Sequence, residues 1–246
     1  PIEELDKAIT SDPDNAEALY ERGLAHYKGG RYELAIADCT RAIELSSNDK
    51  DAYNNRGLAF RDQGNTLRGI SDFTKAIEID NLYSEALFNR GVSYFDLRDL
   101  DLALADFSSA INIDPGDVEI YLNRGATYDE LGCYELAIAD YDKAIEIKPN
   151  LVQGYYNRGI AHRSRDFQLS IADLTKAIEI DPSNSDAFTN RGITYLSMSQ
   201  FERAVSDLSE AIRLNSENPV AYYNRGAAFY ELHDYTRAIS DVTASI

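Results

Sequence analysis

Apolar and small residues recur along this chain at helical spacing, in segments broken by short polar turns. Ala18, Leu19, Arg22, Gly23 and Ala25 follow one helical spacing, and Leu34, Ala35, Asp38, Cys39, Ala42 and Ile43 follow the next. The polar stretch Lys28-Gly29-Gly30-Arg31 separates them. Pro13 and Pro182 mark helix ends, because the residue before a proline avoids the helical region. The pattern predicts helices of about 12–15 residues joined in pairs by short turns.

The pairs repeat. Arg22-Gly23, Arg56-Gly57, Arg90-Gly91, Arg124-Gly125, Arg158-Gly159, Arg191-Gly192 and Arg225-Gly226 are spaced by 34 residues, with one step of 33 between Gly159 and Gly192. An Ala-Ile pair follows in each of the first six units, from Ala42-Ile43 to Ala211-Ile212. A fixed period of this length marks a stack of helical hairpins. Glycine inside a helix costs about 1 kcal/mol relative to alanine. Its recurrence therefore predicts a close helix–helix approach at that point. The 33-residue unit lacks one residue near Arg165-Asp166, so its turn is expected to be tighter or differently aimed.

These residues resemble the tetratricopeptide repeat family. Gly91, Tyr94, Ala103, Phe107, Ala110 and Pro115 follow the family pattern throughout, as do Gly125, Tyr128, Ala137, Tyr141, Ala144 and Pro149. The departures are Gly69 and Ser170 for the small Ala, Cys39, Leu174, Leu208 and Val242 for the second-helix aromatic, and His26 and His162 for the first-helix aromatic. The resemblance covers essentially the whole chain. It implies an all-α, right-handed superhelical solenoid of helix-turn-helix repeats. The expected organisation is a single array over 1–246. Residues 1–14 form a half repeat, units start near 16, 50, 84, 118, 152, 185 and 219, and the last is cut short. Such an array is expected to be a fragment whose ends self-associate, since an uncapped repeat exposes the face meant for its neighbour.

Charge narrows the partners. With 24 basic and 42 acidic residues the net charge is −18. That balance repels nucleic-acid phosphates and acidic lipid surfaces, and no Lys/Arg cluster offsets it. No segment is long and apolar enough to span a membrane, and no signal peptide opens the sequence. Cys39 and Cys133 occupy different points of the repeat, so no disulfide is expected, and a reducing, cytoplasmic setting is favoured.

No phosphate loop, Cys-x-x-Cys pair or His-Glu-x-x-His helix is present. His26, His162 and His233 fall in three units, and the first two hold packing slots. No catalytic residue, metal or cofactor is therefore expected. Each repeated Arg has an Asp 16 residues later, as in Arg22 with Asp38 and Arg90 with Asp106; Arg158 and Asp173 are 15 apart, in the short unit. A bidentate, partly buried pair between packed helices is expected.

The candidate binding residues lie one helix face away. Asn55, Asn89, Asn123, Asn157, Asn190 and Asn224 recur before the Arg. The family resemblance places them on the concave surface, similar to the asparagine ladders of the O-linked N-acetylglucosamine transferase superhelix and importin-type armadillo arrays. An amide offers both donor and acceptor to a peptide backbone; bonding between neighbouring helices is the other use. The preceding slot, with Tyr20, Phe88, Tyr156 and Tyr223 among its residues, and the slot four after Gly, with Arg61 and Arg163, vary as a specificity surface does. The lysines of chaperone-tail-binding relatives are absent, so that role is not expected. The expected function is a scaffold binding a peptide or protein segment, with a basic one favoured by Glu17, Asp51, Glu85, Glu119 and Asp186. The alternatives are a docking arm of a larger enzyme and an end-to-end self-assembly module.

Overall fold

The computed structural model describes residues 2–246, so the first residue of the expected half repeat lies outside them. Fifteen α-helices, and no strand, form among the described residues. They divide into two compact units, Pro1–Thr127 and Tyr128–Ile246.

The first unit holds α1 (Ile2–Ser11), α2 (Ala16–Lys28), α3 (Tyr32–Leu45), α4 (Lys50–Asp62), α5 (Thr66–Ile79), α6 (Ser84–Asp96) and α7 (Leu100–Ile113). α8 (Val118–Glu130) runs across the division. The second unit continues with α9 (Tyr134–Ile147), α10 (Val152–Arg163), α11 (Phe167–Ile180), α12 (Ser185–Ser197), α13 (Phe201–Leu214), α14 (Pro219–Glu231) and α15 (Tyr235–Ala244). Even-numbered helices are the first of each hairpin and odd-numbered ones the second. Asn and Asp side chains start several first helices by accepting backbone N–H bonds. Asn15 caps α2 through Ala18, and Asn184 and Asn218 cap α12 and α14 in the same way.

Within the first unit, α2 packs on α3, α4 on α5 and α6 on α7; within the second, α10 packs on α11, α12 on α13 and α14 on α15. Each hairpin closes around the recurrent glycine. A Cβ on Gly91 would sit 2.8 Å from the Phe107 ring, and one on Gly192 would sit 2.7 Å from Leu208. The glycines thus exchange helix propensity for room to bury a large side chain, and Phe107, Leu174 and Leu208 are fully buried. Where the small Ala becomes Gly69, the two backbones come closer still, so that a Cβ there would lie 2.8 Å from the Gly57 carbonyl oxygen. Ser170, in the same slot of the short unit, is fully buried and bonds Thr194 at 3.2 Å. Cys39 fills the aromatic slot, and burial pushes its thiol up to about 12.

The expected Arg–Asp pairs form at Arg22, Arg56, Arg90, Arg158, Arg191 and Arg225, and each of these guanidinium groups also reaches back to the element before its hairpin. Arg90 Nε and Nη2 bind the two carboxylate oxygens of Asp106 at 2.7 and 2.8 Å, while Nη1 bonds Thr74 at 3.0 Å. Arg56 does the same with Asp72 and Thr40, Arg191 with Asp207 and Thr175, and Arg225 with Asp241 and Ser209. Arg22 and Arg158 find an Asp in place of the hydroxyl, at Asp6 and Asp142. One side chain therefore ties three helices. The signal was a hydroxyl or Asp 16 residues before each Arg.

The 33-residue unit differs from expectation in how it loses its residue. Its connection still spans three residues, Ser164 to Asp166. The missing one is the left-handed residue that other turns carry at Gly30, Gly64, Arg98, Gly132, Ser199 and His233. α10 is one residue shorter than the other first helices in consequence.

Candidate peptide-binding face

In each unit, successive first helices touch one another, whereas successive second helices do not. α2 meets α4 and α4 meets α6; α10 meets α12 and α12 meets α14. Closer spacing on one side bends each stack, so the first helices line its inner wall.

In the first unit, much of the expected asparagine row is turned into the stack. Asn55 is buried with its amide against the Tyr20 hydroxyl. Burial raises the Tyr20 pKa, and Asn55 opposes that rise. Asn89 is buried and donates to Asn54 Oδ1 at 3.0 Å, while Asn54 donates to Glu85 at 3.1 Å. Asn123 is half-buried; its amide nitrogen bonds the Glu119 carbonyl at 2.8 Å and leaves its side-chain oxygen unused. Phe88 is half-buried, with its ring 5.9 Å from that of Phe107. Arg61 is neutralised by its neighbour, its Nε lying 3.0 Å from Asp62 Oδ1. The other Asp62 oxygen accepts from Tyr27 at 2.7 Å; burial, and then this bond, push that phenol up to about 12.

The second unit is more open. Tyr156 is half-buried and accepts from Asn190 Nδ2 at 3.1 Å; Asn190 also donates to the Asp186 carbonyl at 2.9 Å. Arg163 Nη1 donates to Asn190 Oδ1 at 2.9 Å, so that amide is engaged at both ends. Asn157 accepts from Gln153 at 2.6 Å and keeps its N–H donors. Asn224 donates to the Val220 carbonyl at 2.8 Å and keeps its oxygen. Tyr223 stands 59% exposed, at the mouth of a cavity of about 420 Å³ between α14 and α15.

The slot before each Asn is mixed, with Asn54 and Thr189 buried and Tyr223 exposed. Three of its members point toward the following hairpin, where Asn54 meets Asn89, Tyr156 meets Asn190 and Thr189 accepts from Asn218. Bracing of the stack, the other use considered for the amides, is what Asn89 and Asn190 do.

Sequence reading missed the Tyr–carboxylate bonds. Besides Tyr27 with Asp62, Tyr141 donates to Asp129 at 2.6 Å, and burial raises the pKa of that carboxyl. Tyr27, Asp62 and Asp129 sit in slots that vary between units, so neither pair recurs, even though Tyr141 holds the recurrent aromatic slot. Among the described residues no His/Cys/Asp/Glu group could hold a metal ion, and no helix is long and apolar enough to cross a membrane.

No curated protein matches the sequence. Solved structures do match the fold. A tetratricopeptide repeat protein from Parabacteroides merdae superposes with a TM-score of 0.75 at 22% identity, covering 94% of this chain and 91% of its own. YrrB, described as a TPR protein with an unusual peptide-binding site, gives 0.63 at 23% identity, covering 74% and 95%. The APC/C hetero-tetramer Cut9–Hcn1 gives 0.72 at 14% identity, covering 99% of this chain and 48% of its own. Tetratricopeptide repeat models match residues 16–49, 84–117 and 118–151, further ones 50–81 and 152–184, and two more 174–206 and 194–232. With hairpins, period and matched models in agreement, the chain belongs to the tetratricopeptide repeat family.

Proposed function

We propose that this protein is an interaction scaffold whose inner walls bind an extended or helical segment of a partner protein. The observation that carries this is the set of half-buried amides with unused atoms on those walls. Asn123 and Asn224 offer an oxygen and Asn157 its N–H donors. Exposed Tyr223 and half-buried Phe88 supply side-chain contacts of the kind that anchor interfaces. The buried members of the row, Asn55 and Asn89, bond to the preceding hairpins through Tyr20 and Asn54 and so brace the wall.

A basic segment is favoured. The first unit has 24 acidic and 13 basic residues, and Glu17, Asp51, Glu85 and Glu119 sit in the first turns of its first helices. Such a field speeds encounter with cations more than it adds affinity. The free thiols of Cys39 and Cys133 support a reducing, cytoplasmic setting. The same wall would serve as well in a docking arm of a larger enzyme.

The test is a peptide array probed with the wild-type chain and with Asn123→Ala and Asn157→Ala. Loss of bound spots in the variants, with unchanged helicity, is the expected result. Unchanged binding would remove these amides from the mechanism. A second reading, self-association, is favoured by the exposed Tyr230 and Ile239 beside the cavity between α14 and α15. Light scattering of an Ile239→Asp variant tests it: a wild-type mass of one chain at high concentration would rule it out.

A further inference from the structure

Arg163 differs from the other first-helix arginines of the second unit. Arg158, Arg191 and Arg225 each grip a carboxylate through two N–H groups, on Asp173, Asp207 and Asp241 respectively. Arg163 is half-buried, yet no carboxylate lies within ion-pairing distance of it among the described residues. Its protein partner is the neutral Asn190 oxygen, reached by Nη1 alone. In the first unit the same slot holds Arg61, whose Nε is taken by Asp62. The residue after Arg163 is Ser164, which supplies no such charge.

The guanidinium is also held in place. Asn190 is fixed by its bonds to Tyr156 and to the Asp186 carbonyl, so the oxygen it presents to Arg163 has a set direction. That bond uses one N–H of five. The edge carrying Nε and Nη2 keeps the fork geometry that fits a carboxylate with two parallel bonds. Asp186 and Arg163 both act on the Tyr156 phenol, in opposite directions, but Asp186 makes no ion pair with the guanidinium, so a partly desolvated cation is left with room for an anion in contact.

We propose that Arg163 is a carboxylate-binding position on the inner wall of the second unit, reading an acidic group of the bound peptide. This rests on the inner-wall reading and names one chemical group within it, a single carboxylate carried by a segment that is otherwise basic. The carboxylate comes either from a peptide C-terminus or from an Asp or Glu side chain. The arrangement uses one arginine braced by an amide, not the lysine set absent from this sequence. Arg163 is the last residue of α10, where any cation favours the helix dipole. Lysine would preserve that effect and lose the fork, which separates the two roles.

The experiment follows the Arg163 Nε–H signal by NMR in the full chain. The probes are N-acetyl-trialanine as free acid, the same peptide as C-terminal amide, and N-acetyl-Ala-Asp-Ala-amide. The free acid, the Asp peptide or both should shift the signal and saturate in the millimolar range, and which of them does so identifies the source of the carboxylate. The trialanine amide should leave it unmoved. Arg163→Gln and Arg163→Lys should weaken binding about ten- to a hundredfold, as loss of bonds to a charged group does, with Arg163→Lys keeping wild-type stability. An Arg163 signal unmoved by either acid, or moved equally by the neutral amide, overturns the proposal. If that happens while Asn157 and Tyr223 signals respond to peptides selected on the array, the inner-wall reading stands alone. If those are silent too, both fall.

Discussion

Asn89 donates its side-chain amide to the Asn54 side-chain oxygen at 3.0 Å, one repeat away, with both residues buried. A row that reads as a surface ladder is thus, at this point, an internal brace between α4 and α6. Asn89→Ala is expected to destabilise the array by about 1–2 kcal/mol, since it deletes a buried bond and unsatisfies part of Asn54. Asn224→Ala, which loses only a bond to its own helix, is expected to change stability by less than about 0.5 kcal/mol. Urea midpoints of the two variants provide the comparison.

The glycine–aromatic contact has a signed consequence. Alanine at Gly91 improves helix propensity by about 1 kcal/mol but drives a methyl into the Phe107 ring, and overpacking costs about 1–3 kcal/mol. Gly91→Ala should lower the melting temperature. Gly226→Ala should be milder, because its nearest obstacle, Val242 at 3.0 Å, is 39% exposed and able to shift, and the fixed Ala238 carbonyl oxygen lies farther off at 3.2 Å. Thermal unfolding that ranks the two in reverse order would contradict this packing.

The Arg–Asp tie should be costly to break. Asp106→Ala strands the Arg90 guanidinium, whose side chain is only 18% exposed. Loss of one partner of a fully buried pair costs about 3–5 kcal/mol. Some residual hydration of Arg90 brings the expected loss to about 2–4 kcal/mol. Thr74→Ala, which removes only the third bond, should cost about 1 kcal/mol. Chemical denaturation of both variants checks the ratio.

His26 gives a pH dependence of known sign. Burial, then Arg31 and Arg22, lower its pKa below the ordinary 6.5, outweighing Asp38 and Asp6, which act the other way. The unfolded chain therefore takes up the proton first. Stability is fully present above pH 6.5 and declines as pH falls from there toward the folded value. His26→Phe, placing the usual aromatic in that slot, should lose less melting temperature between pH 7.5 and pH 5 than wild type does. Equal losses would show that His26 carries none of the dependence.

Much of this was legible in the residues. The period, the paired helices, the glycine contacts and the Arg–Asp spacing are features that identical hairpins impose in register, so each repeats and declares itself. What the sequence hid is set by how neighbouring hairpins rotate past each other. Asn54 and Thr189 neighbour the Asn row, yet both are buried against the following hairpin, at Asn89 and Asn218. The Asn row splits for the same reason, with Asn89 and Asn190 tied to other side chains and Asn123 and Asn224 bonded only within their own helices. Arg61 and Arg163 share a slot, but Asp62 against Ser164 gives them opposite electrostatic roles, a contrast visible only once pairing distances are known.

The most direct test of the inner wall as the binding surface is an NMR map of backbone and side-chain amide shifts on adding the tightest array-selected peptide. Shifts confined to the first helices, with Asn123, Asn157 or Asn224 side-chain amides among the largest, are expected. Shifts clustered on second helices such as α5 or α11, with those amides unmoved, would contradict the inner wall as the binding surface.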